Sequence, residues 1–320
     1  MQAFHNDPAL KRATLDRIRA HLSAGDVVPL SGYWKESKGG PAYCAVDDPD
    51  PAVFERRLGI PRSLLPMVEA IFRDTYNMAP PDRKVPLEDS ELALAHGFPA
   101  DWLEAIAPGV DLTSVPAQMI VWILADRELG SIASATHEEV RAVLLEISAA
   151  HQAALDGRPP SGSQWTALRS RAMTLADGLP RNSVDAKVAA TVESAAWPST
   201  ASGGITLDVF NTYIGELQAA ANAQAGWTDA DDELIARLTA ELETAVKEVR
   251  KAFQGEARGR EVDRILTEHF AYRRRHYPEL VARENAARLA HNGLKWPRLL
   301  SCQRTLLGML RRAAEHAPRD

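Results

Sequence analysis

At 320 residues, 45% hydrophobic and 25% charged, the chain has the size and composition to bury one large or two ordinary globular cores. Its apolar run MIVWIL (119–124) falls far short of the roughly 18 residues of a membrane span, and MQAFHNDPALKRATLD lacks the apolar stretch of a secretory leader, so a soluble cytoplasmic protein is expected. The net charge of −6 is uneven: residues 247–320 carry 17 Lys/Arg against 9 Asp/Glu, and residues 1–246 carry 20 against 34. Such a split suits either a basic surface for a polyanion or mutual attraction of the two parts, which needs no partner.

Nearly every segment has helical periodicity. The first helix follows Asp7 as N-cap and Pro8, carries Leu10, Leu15, Ile18 and Leu22 at helical spacing, and stops at Gly25. Between residues 31 and 48, SGYWKESKGGPAYCAVDD gathers three glycines, three aromatics, two lysines, a cysteine and two aspartates. DVVPL before it and YCAV within it could pair as a small β-hairpin near residues 26–46. Further helices are predicted over 60–77, near 90–96 and 99–107, and over 114–130, the last apolar almost all round.

A capping box of Thr136 and Glu139 opens the next helix, and RPPSGS (158–163) is the best internal boundary. Four helices follow. The clearest is capped by Thr228, with Leu234, Ile235, Leu238, Leu242, Val246, Val249 and Phe253 on one stripe. The C-terminal part continues as helices near 258–276, 278–292 and 297–316. No stretch sustains the alternation of a sheet strand. The expected fold is an all-α multi-helix bundle in two lobes, 1–157 and 158–320, the second basic toward its end.

Chemistry is sparse. The glycine–cysteine segment offers Lys35, Lys38, Gly39 and Gly40 as ligand-binding candidates, because glycine amides and lysines can meet an anion. Cys44, with His5, is the candidate for nucleophilic chemistry, if its thiolate is stabilised. The favoured reading of the segment is nevertheless a connector with a packed cysteine. Two cysteines form neither a disulfide framework nor a metal motif, and the histidine pairs are too far apart along their helices to share an ion, so no metal and no cofactor is expected.

FAYRRRHYPEL (270–280) interleaves aromatics with Arg273, Arg274 and Arg275, a pattern able to grip phosphate or an acidic partner. The alternative turns its tyrosines to the core and pairs the arginines with carboxylates. The last helix sets Leu299, Leu300, Cys302, Leu306, Leu307, Met309 and Leu310 against Arg298, Arg304, Arg311 and Arg312. Arg311 and Arg312 complete the partner-binding candidates.

The opening FHNDPALKRATLDRIRAH, then CAV, LGIPRSLLPMVEAIFRD and WLEAIAPGVDLTSVPAQMIVWIL, is similar to a family of uncharacterised bacterial proteins. Members open on Phe-His-Asn-Asp-Pro and continue through a glycine–cysteine loop and a Leu-Gly-Ile-Pro helix start to an alanine-rich helical tail. The resemblance covers residues 3–130 and implies a bacterial origin and a helical fold, with no activity attached. Its members carry a second cysteine soon after Cys-Ala-Val, where this chain has Asp47 and Asp48. The expected function is a non-catalytic binding or scaffold protein, with a homo-oligomer or a protein as partner and nucleic acid a weaker candidate. The alternative is a small-ligand-binding protein or enzyme built on residues 31–48.

Overall fold

A computed structural model describes residues 1–29, 38–79, 88–200 and 204–313. Among them are fourteen α-helices and no strand, as the periodicity requires. They form two compact units, Met1–Glu216 with Lys295–Asp320, and Leu217–Leu294. No described helix is long and apolar enough to cross a membrane.

The first unit begins with a turn whose residues Phe4, His5 and Asn6 all have positive φ. It leads into α1 (Pro8–Ala24), where Asp7 accepts the Ala9 amide and Gly25 closes the helix at φ 72°. Short helices α2 (Pro41–Val46) and α3 (Pro51–Leu58) pass the chain to α4 (Leu65–Met78), which buries Leu65, Met67, Val68, Ile71 and Phe72. Helix α5 (Asp89–Glu104) runs through Pro99, where the sequence predicts two short helices. Phe98, Pro99, Trp102 and Leu103 are all buried and Trp102 stacks on Phe54 at 6.0 Å. That burial outweighs the roughly 3 kcal/mol cost of an interior proline.

Helix α6 (Val115–Ala125) is buried along most of its length. A short α7 (Ser131–Ser134) precedes α8 (Glu138–Leu155), α9 (Gly162–Gly178) and α10 (Val184–Ala195), which pack on one another. The Thr136–Glu139 capping box does not form. Asp185, at the start of α10, instead accepts the amides of Thr136 and His137 and the Thr136 hydroxyl, so a neighbouring helix supplies the cap. The RPPSGS segment lies inside this unit, and Ser161 makes a capping box with Gln164 at the start of α9. Helix α11 (Ile205–Gln224) adds Val209, Phe210 and Tyr213 to the core. The C-terminal stretch of α14 (Pro278–Ala313) adds Leu299, Leu300, Leu306 and Leu310. Like α5, α14 carries an interior proline, Pro297, where the sequence predicts a break.

The hairpin expected near residues 26–46 is corrected. Val27 pairs with Gly39 in an isolated parallel bridge, and no described residue lies in a strand. Tyr43, Cys44, Ala45 and Val46 lie in α2 instead, because Pro41 cannot donate to a ladder but suits the first position of a helix.

In the second unit, α12 (Asp229–Ala252) and α13 (Gly255–His276) pack on each other across Phe253 and Gln254. Thr228 and Asp231 form a complete capping box. The Arg283 guanidinium donates twice to the Asp231 carboxylate, at 2.6 and 3.0 Å, which holds that carboxyl below its ordinary range. The predicted α12 stripe is only partly covered: Leu238 and Val249 are buried, while Phe253 is 40% exposed.

Candidate functional site

The glycine–cysteine segment is organised by a residue outside it. Glu69, on α4, lies beneath the start of α2 and accepts the Ala42 amide at 2.8 Å. Gly40, the N-cap, lies so close that a Cβ there would stand 1.5 Å from Glu69 Oε2. Gly39 pairs with both sides of the bridge, donating to Asp26 and accepting from Val28. Burial pushes the Glu69 carboxyl up to about 8, against the opposing hydrogen bond from Ala42. Tyr43 is raised by its burial and then by Glu69.

Cys44 is fully buried, and its thiol donates to the Gly39 carbonyl at 3.4 Å. Burial, reinforced by Glu69, pushes that thiol up to about 12. At neutral pH the sulfur is therefore a protonated, packed group rather than a stabilised thiolate. His5 does not serve it: its Nε2 lies 3.0 Å from the Arg56 carbonyl. The imidazole that reaches the end of α2 is His21, whose ring lies 3.2 Å from Asp26 and 2.7 Å from Asp47. Arg17 and Arg57 donate to the Ala45 and Val46 carbonyls at the end of α2, where positive charge is favoured. Lys38 is exposed, and Lys35 lies outside the described residues. The whole arrangement locks a short helix in place.

The arginine candidates separate. Arg273 is buried and donates to Glu284 at 2.6 Å, so it belongs to the internal packing of the second unit rather than to a contact surface. Arg274 and Arg275 are exposed, and neither has a carboxylate within ion-pair distance among the described residues. Around them Phe270 is 47% and Tyr272 46% exposed. Tyr272 lies against the His276 ring at 4.3 Å and edge-on to Tyr277 at 6.0 Å. The tyrosines thus form a small surface stack instead of facing a core. Arg311 and Arg312 are exposed near the end of α14, in the other unit, and Arg311 opposes the burial that raises the Asp101 carboxyl.

Two polar residues are buried where the sequence gives no such expectation. Arg298, assigned by its periodicity to a polar face, is buried, and its Nη2 donates to Ser134 Oγ at 2.9 Å. Glu216 is 1% exposed and accepts from Ser131 Oγ at 2.6 Å. Glu216 lies three residues after Tyr213 and seven after Val209, on the buried stripe of α11. A lone acid on such a stripe is the signal that could have found it. Nothing local marks Arg298. Among the described residues no three His, Cys, Asp or Glu side chains are arranged to hold a metal ion.

No family model, no curated protein and no solved structure matches the chain.

Proposed function

We propose that the protein is a non-catalytic helical binding protein that engages an acidic protein partner through the C-terminal end of α13. The observation that supports this reading is the surface made by Phe270, Tyr272, Arg274, Arg275 and His276, where two arginines without a carboxylate stand beside exposed aromatic rings. Aromatic and arginine side chains are the types that contribute most to protein contacts. Of the 22 residues of α13 only Arg273 is buried, so most of the helix is free to meet a partner. Basic residues also stabilise a helix C-terminus, which accounts for Arg274 and Arg275 but not for the exposed rings.

The test is charge reversal, Arg274→Glu with Arg275→Glu, beside a control reversal of Arg258 and Arg260 on the same helix. Proteins captured from a host lysate by the wild type are identified, and the strongest is purified and titrated. The reading requires that the first pair weaken binding at least about tenfold with an unchanged melting temperature, and that the control pair leave it intact. Equal effects from both pairs, or from neither, overturn it.

A further inference from the structure

A groove of about 580 Å³ lies in the first unit where α10 ends and α11 begins. Trp197 forms one side and is 43% exposed, unusual for so large an apolar ring. Ile205, which is 5% exposed, provides apolar surface. Glu193 and Asp208 line the same groove, and no lysine, arginine or histidine lies within ion-pair distance of either among the described residues. Ser194, Asn211 and Thr212 complete the polar lining, and Asn211 accepts from Arg73 at 3.2 Å.

The indole already shows the chemistry it favours. The Arg169 guanidinium stands 3.8 Å from the Trp197 ring centre, yet Arg169 does not line the groove. The ring thus already holds one cation, and Trp197 also lines the groove, where Arg169 does not. An electron-rich ring beside two carboxylates that lack an ion-pair partner among the described residues attracts a cation, and an apolar wall favours one that carries carbon rather than a hydrated metal ion. We propose that this groove binds a small organic ammonium ion, the cationic centre resting on Trp197 and paired with Glu193 and Asp208. The site is independent of α13 and stands or falls separately from the proposed partner surface.

The probe is choline chloride, titrated into the ¹⁵N-labelled full chain while the Trp197 indole N–H resonance, assigned with Trp197→Phe, is followed. The neutral isostere 3,3-dimethyl-1-butanol and a monosaccharide are run in parallel. The proposal requires a saturable shift with choline, none with the isostere or the sugar, and at least about tenfold weaker binding in Glu193→Gln/Asp208→Asn. Asp208 is exposed and Glu193 half-buried, and the double variant is checked for an unchanged melting temperature. No saturable shift up to about 50 mM choline, an equal response to the isostere, or a preference for the sugar overturns it.

Discussion

Arg298 Nη1 stands 3.7 Å from Glu216 Oε2, inside a core where Glu216 is 1% and Arg298 9% exposed. The two groups share an ion pair too long for a hydrogen bond, and each leaves that atom without a hydrogen-bond partner. Burial pushes Glu216 up to about 7, opposed by Ser131, Thr191 and Arg298. Removing one partner strands the other charge. Arg298→Met is therefore expected to cost about 3–5 kcal/mol, and the paired change Arg298→Met with Glu216→Leu far less. Urea denaturation of the two single variants and the double measures this, and losses that simply add would show that the pair is energetically uncoupled.

Glu69 makes stability depend on pH in the direction opposite to an ordinary paired carboxylate. Its folded-state value is about 8 against 4.5 for a free side chain, so the folded state holds the proton more tightly. Stability is fully present below about pH 4.5, declines as pH rises, and levels off above about 8. Glu69→Gln, which retains an acceptor for Ala42, should match the wild type at acidic pH and exceed it by roughly 1–3 kcal/mol above pH 8, after allowing for partial exposure. Melting curves across that range decide it; a constant difference at every pH counts against a titrating Glu69.

Gly40 and Gly162 offer a matched pair. A Cβ on Gly40 would strike the Glu69 carboxylate, whereas one on Gly162 meets nothing within 4 Å. Gly40→Ala should cost about 1–3 kcal/mol, and Gly162→Ala, in the first turn of α9, should be neutral or stabilise by up to about 1 kcal/mol. Thermal melts of the two single variants suffice. Gly40→Ala at wild-type stability would show that the Glu69 side chain swings aside at no cost.

Both cysteines should resist modification in the native protein. Cys44 and Cys302 are each buried and each pushed up to about 12 by that burial. A thiol reagent near neutral pH should label them only as fast as the protein opens, with slow and denaturant-accelerated kinetics. Rapid labelling of Cys44 alone would revive a nucleophilic role.

Helix content, the caps at Asp7 and Thr228, and the burial of α6 within the predicted 114–130 helix follow directly from the residues, because periodicity and capping are local properties. What escaped was set by contacts distant in sequence. Pro99 and Pro297 read as stops, since a proline's cost is visible locally and the burial that offsets it is not. Thr136 and Glu139 satisfied a capping pattern, but Asp185, nearly fifty residues on, took the amides first. The same holds at the sites. Cys44 was legible as a packed residue from its apolar setting in Ala-Tyr-Cys-Ala-Val, whereas Glu69 beneath Gly40 depends on how α4 meets α2. Arg273 looked equivalent to Arg274 and Arg275, and only its pairing with Glu284 separates them.

Because the first unit is interrupted after Glu216 and resumed at Lys295, its core has an order of delivery. Leu299, Leu300, Leu306 and Leu310 reach it last. At a synthesis rate of about 5–20 residues per second, the apolar surfaces awaiting them stay uncovered for several seconds on the ribosome. The nascent chain is most vulnerable to aggregation and to chaperone capture in that interval, and slowing translation within the α12–α13 stretch should lower the yield of native protein more than the same pause placed before α6.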